Sequence, residues 1–292
     1  MTTFAHAHAR AMNRRTNRSG LSVIATLVTA LAIALAMSGC AISQQQEVQM
    51  GTDYATKIST QLPLIHDAAV VNYVTTLGNS LAAVTDTRGL TWHFAVVDSK
   101  EVNAFAVPGG WIYVNRGLIA RATAMDELAG VLGHEIGHVT LRHTVQQMQQ
   151  AQQVDGGLMA LCTLTKVCNS GAGQAAINVG GSALFASFSR QDEAQADDEG
   201  VKTTVKAGID PRGIPAMFRI LLNERQSNPS AGDAFFATHP LEESRITATT
   251  NQIAAYTAAQ LRGLRVDDAA FQTMKRRLAS LPPSPVPKVA AK

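Results

Sequence analysis

His134 and His138 stand four residues apart in the segment Leu132-Gly133-His134-Glu135-Ile136-Gly137-His138. On a helix that spacing stacks two side chains on one face, so both imidazoles can reach one ion. Zinc accepts imidazole nitrogen readily and becomes catalytic when one coordination position is left for water. Glu135 follows the first histidine and can contact that water as a general base. A further carboxylate is available downstream, where Glu193 and Asp197 are again four apart. Glu193 could complete a two-histidine, one-glutamate site, and Asp197 could accept the free N–H of a ligand histidine. Spacing alone leaves two other readings open. Asp192, Glu193, Asp197, Asp198 and Glu199 also fit a solvated acidic face, and His134 and His138 also fit a helix with two incidental histidines.

The helix that such a site needs is legible. Leu128, Val131, Leu132, Ile136 and Val139 recur at helical spacing, and Thr123 followed by Asp126 marks a start. The pattern predicts that this helix runs on into the Gln-rich stretch near Gln152. His143, five residues past His138, then falls off the ligand face and reads as structural, as do His66 and His93. A second helix is expected from about Gln191 to Ala207, stopped by Gly208, with others after Asp210-Pro211 and from Pro240. Upstream, residues 42–61 read as a surface helix, and Asp67 to Ala83 carries an apolar helical stripe. Leu90 to Val97 is β-rich, and Val102 to Val114 reads as two short strands turned at Pro108-Gly109-Gly110. Residues 155–173 are Gly-rich and loop-like, 174–188 read as a buried helix, and the proline-rich stretch from Leu281 as a disordered tail.

With 46% hydrophobic and 16% charged residues, a chain of 292 residues can build a globular core. Its net charge of +3 comes from Arg10, Arg14, Arg15 and Arg18; without them 21 basic residues face 22 acidic ones. So balanced a chain offers no electrostatic case for nucleic acid. The four arginines precede an apolar run, Leu21 to Met37, and then Ser38-Gly39-Cys40. That order matches a secretory signal ending in a bacterial lipobox, with Cys40 as the lipid-carrying first residue of the mature chain. An uncleaved anchor is the alternative, since 17 residues approach the length that spans a bilayer. Ala41 rather than Asp after the cysteine resembles Gram-negative lipoproteins sent onward to the outer membrane, with inner-membrane anchoring less favoured. In an exported chain Cys162 and Cys168 could form a disulfide, which requires a loop between them; otherwise they are two buried thiols.

Taken together, His134-Glu135-x-x-His138, Arg190-x-x-Glu193-x-x-x-Asp197-x-x-Gly200, Thr238-His239-Pro240 and Arg245 resemble peptidase family M48. Asn103-Ala104-Phe105-Ala106, Pro108-Gly109-Gly110 and Gly117-Leu118 extend the likeness, which runs from about Glu47 to Thr250. That family takes in HtpX-like, CAAX prenyl protease-like and Oma-like zinc metallopeptidases, and the chain is similar to its small LoiP-like lipoprotein members. The resemblance implies an α+β, mostly helical fold of gluzincin type, with a small β-sheet beside the HExxH helix. With the leader and the proline-rich tail, the expected organisation is a lipoprotein-type signal segment over 1–39, a metallopeptidase domain over 40–265, and a C-terminal helix remnant with its tail over 266–292. The resemblance implies one Zn2+ held by His134, His138 and Glu193, with Asp197 behind a ligand and Glu135 as the base. It further implies that Asn103, Ala104, Phe105 and Ala106 bind substrate along a strand edge, a mode that depends little on side chains. His239 and Arg245 match family positions and are the candidates for donating to the tetrahedral oxyanion. His239 could also cover the open zinc position as a latch, and the two roles can coexist if its loop moves; a net loss of activity is expected on removing it.

The expected function is a zinc metalloendopeptidase of the bacterial cell envelope, on the periplasmic face of the outer membrane, acting on unfolded or misassembled polypeptides. The competing reading is an envelope assembly factor in which binding matters more than cleavage. A third, a non-proteolytic zinc protein, leaves Glu135 without a purpose.

Overall fold

The computed structural model describes residues 42–150, 187–227, 235–240 and 243–285. The signal segment with Cys40, the pair Cys162 and Cys168, the Gly-rich stretch 155–173 and nearly all of 174–188 lie outside them.

The first helix, α1 (Gln44–Gln61), is closed by a reciprocal cap: Ser43 Oγ accepts from Gln46 N, and Gln46 Oε1 accepts from Ser43 N. Helix α2 (Ala68–Thr85) starts on the Asp67 side chain and turns Val70, Val74, Leu77 and Leu81 inward. The sheet follows, with β1 (His93–Val97), β2 (Ala104–Val107) and β3 (Trp111–Asn115) in the order β1-β3-β2. β2 and β3 form the expected antiparallel hairpin, Ala104 opposite Val114, while β1 runs parallel to β3. Gly109 and Gly110 make the turn at φ +79° and +100°, where side chains are strained. Alternation sorts the two faces of the sheet. Phe94, Val96, Ile112 and Val114 join the main core, while Val97, Tyr113 and Val107 meet Ile58 of α1 and Met148.

A short α3 (Arg116–Arg121) leads to α4 (Met125–Thr140), which carries the paired histidines. From Met125 to Val139 every residue of α4 is buried, because α2, α5, α6 and the sheet surround it. Burying Leu128, Leu132 and Ile136 stabilises the helix by about 1.5–3 kcal/mol each before entropy is counted. Its start differs in one detail from expectation. The reciprocating acid is Glu127, whose carboxylate accepts from Thr123 N and Oγ1 and from Ala124 N, whereas Asp126 is turned into the protein.

The end of α4 is a correction. The helix does not run to Gln152; it stops at Thr140 and restarts over 143–150. Arg142 sits at φ 62°, in the left-handed region, and cations fasten the break. Arg142 Nε donates to Glu47 Oε2 at 2.8 Å, and Arg88 bridges the same carboxylate and the Val139 carbonyl. Glu47, in a helix read as superficial, is fully buried. Periodicity could not reveal the break, because the residues on both sides keep a helical pattern.

Helix α5 (Arg190–Lys206) packs against α4 more extensively than any other pair of described elements does, and Gly208 ends it at φ +73°. Helix α6 (Gly213–Ser227) supplies Ile214, Met217, Phe218 and Leu221 to the core. Helix α7 (Glu243–Ala254) is described from three residues after Pro240, and the short α8 (Ala258–Leu261) follows. Helix α9 (Ala269–Ser280) buries Phe271, Met274 and Leu278 in the same core as α4. The stretch from Leu281, expected to be disordered, begins tethered: Arg116 donates to the carbonyls of Leu281 and Pro282, and Ser284 Oγ to Asp98.

Candidate metal centre

The α4–α5 contact creates the site. Gly133 faces Gly200, and a Cβ on Gly137 would come within 3.1 Å of the Ala196 carbonyl, so the backbones meet with no side chain between them. This close approach carries Glu193 of α5 up to the histidines of α4. His134 Nε2 and His138 Nε2 are 3.0 Å apart, and His138 Nε2 is 3.4 Å from Glu193 Oε1.

A fourth residue joins them. Helical residues 235–238 end at His239, whose Nδ1 lies 3.0 Å from Glu193 Oε1 and 3.4 Å from His134 Nε2. All four side chains are buried, and their ligand atoms lie within 4.8 Å of one another. Four buried ligand atoms this close would repel if each presented a lone pair, and a cation among them would relieve that. Ligands about 2.0–2.1 Å from a tetrahedral ion stand roughly 3.3 Å apart; four of the six spacings here, at 3.0 and 3.4 Å, bracket that value, and all lie within 4.8 Å. The residues therefore fit a tetrahedral metal of the zinc type.

The surroundings suit ligands. Burial pushes His138 well down, keeping it in the neutral form a metal requires. Burial works to raise Glu193, but His239 and His138 outweigh it and hold the carboxylate charged. Asp197 Oδ1 lies 2.9 Å from His134 Nδ1; burial opposes its charge, and His134 and Arg245 restore it. Glu135 is fully buried, and neither of its carboxylate oxygens has a hydrogen-bond partner among the described residues. Its Oε1 lies 3.5 Å from His239 Nε2. A buried carboxylate without a hydrogen-bond partner, next to a group of metal ligands, is placed to contact a water held there.

Arg245, expected as an oxyanion donor, has its donors directed elsewhere in this structure. Its Nε and Nη2 donate to Asp197 at 2.8 and 2.7 Å, and its Nη1 pairs with Glu193 and donates to the Pro240 carbonyl. The guanidinium thus clamps the two carboxylates of α5 from behind and has little left for a substrate.

Asn103 to Ala106 lie at the sheet's edge: among the described residues β2 pairs with β3 alone. Since Asn115 N donates to Asn103 O, Phe105 and Val107 also bond towards β3, and the N–H and C=O of Ala104 and Ala106 point away from it, although both residues are buried. His143 is where sequence reasoning missed a participant. The break at Arg142 swings its Nδ1 to 3.0 Å from His138 Nδ1, and its Nε2 to 3.0 Å from Gln195 Oε1. No pattern in the sequence signals that turn. Phe188, whose ring stacks on His138 with centroids 3.9 Å apart, is a second neighbour that no motif reveals.

Residues 68–253 match the family described as peptidase family M48. The chain is 31% identical over 222 residues to the beta-barrel assembly-enhancing protease of Yersinia pestis, covering 74% of this chain and 45% of that protein. It is 28% identical over 239 residues to metalloprotease YcaL of Escherichia coli, covering 81% of this chain and 86% of the relative. With metalloprotease LoiP of the same organism it shares 30% over 182 residues, covering 62% and 70%. The chain thus spans less than half the length of the assembly-enhancing relatives it matches.

Proposed function

The chain belongs to peptidase family M48, and from that premise we propose that it is a zinc-dependent endopeptidase of the bacterial cell envelope. The observation that carries this reading is the convergence of His134, His138, Glu193 and His239 around one point, with the unbonded carboxylate of Glu135 beside it. His134, His138 and Glu193 are the resident ligands. Zinc, when bound, supplies Lewis-acid chemistry at a water and at the scissile carbonyl. Glu135 takes the water's proton and returns it to the leaving amine. Asp197 orients His134 and Arg245 orients Asp197 and Glu193, so both act through the ligands. The edge of β2 is the line along which an extended peptide would bond to Ala104 and Ala106, a recognition suited to unfolded or misassembled chains of varied sequence; both residues are buried here, so binding requires that edge to be uncovered.

His239 closes the site in the arrangement described. Its Nδ1 takes the place a substrate carbonyl or water needs, so this arrangement is latent, and activity requires the 235–240 segment to move. The leader sequence and Cys40 support lipid anchoring to the periplasmic face of the outer membrane. Among the described residues no helix is long and apolar enough to cross a membrane. Mass spectrometry of the mature N-terminus tests the anchor: Cys40 is expected as an acylated first residue, and an unmodified terminus elsewhere rejects it.

The test of the activity is cleavage of unfolded casein by the purified chain. Chelation is expected to stop it and zinc to restore it. Glu135→Gln is expected to abolish cleavage while binding zinc as wild type does, since Glu135 is a base and not a ligand. An active Glu135→Gln enzyme refutes the mechanism. The assembly-factor reading gains from the name of one group of relatives; envelope assembly that survives Glu135→Gln would favour it.

A further inference from the structure

His138 and His134 differ in what stands behind them. His134 presents its second nitrogen to a carboxylate, Asp197, whereas His138 presents its own to another imidazole. His143 is 1% exposed, and its Nδ1 lies 3.0 Å from His138 Nδ1. Two ring nitrogens at that distance attract only if one bears a hydrogen and the other a lone pair. The far side of His143 decides which. Its Nε2 is 3.0 Å from Gln195 Oε1 and 3.9 Å from Asp192 Oδ1, and both oxygens accept. A neutral His143 therefore carries its hydrogen on Nε2 and offers a lone pair at Nδ1. His138 must then donate from Nδ1, which leaves its Nε2 bare. That bare nitrogen is the one facing His134, Glu193 and His239.

We infer that His143, oriented by Gln195, is a positioning residue that locks His138 in the Nδ1–H tautomer and so keeps Nε2 ready as a metal ligand. This rests on the metal-site reading above. It depends on the break after α4. On a continuous helix a residue five positions on is rotated about 140° from His138 and cannot face it. The left-handed Arg142, held by Glu47, turns the chain back, so a buried carboxylate of α1 buttresses a ligand it does not touch. The opposite chain of hydrogen bonds, with the Gln195 amide reversed, would place a hydrogen on His138 Nε2, where the ion has to bind.

Two measurements on the zinc-loaded full chain decide the matter. Long-range proton–nitrogen NMR of 15N-histidine-labelled wild type should show hydrogen on His138 Nδ1 and on His143 Nε2. Hydrogen on His138 Nε2, or on His143 Nδ1, overturns the inference without any variant. Zinc affinity, read by competition with a chelator, should fall about 10–100-fold in His143→Leu. In His143→Asn, whose Oδ1 can accept the same N–H, most of that loss should be recovered. A residue that only fills space predicts the reverse order, because Leu packs in an apolar site better than Asn. His143→Leu binding zinc as tightly as wild type, or more tightly than His143→Asn, overturns the inference and leaves the metal site standing. A wild type that binds no zinc removes both.

Discussion

His239 occupies two positions in the chemistry at once. Its Nδ1 is among the ligand atoms and its Nε2 is 3.5 Å from the proposed base. Family position alone suggests an oxyanion donor, whose loss costs about 10²–10³ in rate, and hence the net loss expected above. The latch reading proposed above predicts the opposite sign. On that reading a ring buried against Glu193 and His134, and stacked on Phe235, would stand where substrate has to approach a bound metal. His239→Ala is therefore expected to raise cleavage of unfolded casein at equal zinc occupancy, while weakening zinc binding by removal of one donor. A fall in activity would restore the oxyanion role, and unchanged activity would make His239 a bystander. Arg245 teaches the complementary lesson. It matches the family pattern, but its donors are spent on Asp197, Glu193 and Pro240.

At the scale of elements, the site is a property of the α4–α5 contact. Glycines at 133, 137 and 200 let the two helices approach until Glu193 meets the histidines, and a side chain at Gly137 has the Ala196 backbone in its way. Gly137→Val should force the helices apart, destabilising the fold by about 1–3 kcal/mol and lowering zinc affinity with it. Urea unfolding and chelator competition on the same sample check both effects; unchanged zinc affinity in a folded variant would show that the spacing is not critical. The sheet is held between α2 and α1, and the hairpin places β2 at its edge. The break between α4 and residues 143–150 makes His143 part of the site, and α1, through Glu47, holds that break.

Across the whole molecule, stability should carry a pH signature that is independent of the metal. Asp126 is pushed up to about 7, first by burial and then by the nearby charges of Glu127 and Asp210. An aspartate is near 3.9 when unfolded. Between those values the folded state holds a proton that the unfolded state has released, so stability falls as pH rises from about 4 to 7 and is flat beyond. Asp126→Asn removes the effect. The variant's stability should match wild type near pH 4 and exceed it above pH 7 by about 1–4 kcal/mol, because each pH unit of that window contributes at most about 1.4 kcal/mol. Urea unfolding of both zinc-loaded proteins across this range tests it. The metal site titrates equally in both, so only the difference counts, and a difference that does not vary with pH would rule it out.

What the sequence determined by itself is local. A period of 3.6 places His134 and His138 on one helix face and Glu193 and Asp197 on another, and an alternating pattern broken by Pro-Gly-Gly specifies the hairpin. These follow from which neighbours share a face, and a linear pattern contains that information. The resemblance to a known family added which of those faces meet. Tertiary structure alone decided the rest. His239 reaches His134 across 105 positions of chain, and Arg245 reaches Asp197 across 48. A single left-handed residue, held by a glutamate 95 positions away, turns His143 from a helix-surface position into a partner of His138. No periodicity encodes such contacts, because they depend on how distant elements pack and on where a buried charge finds its counterion.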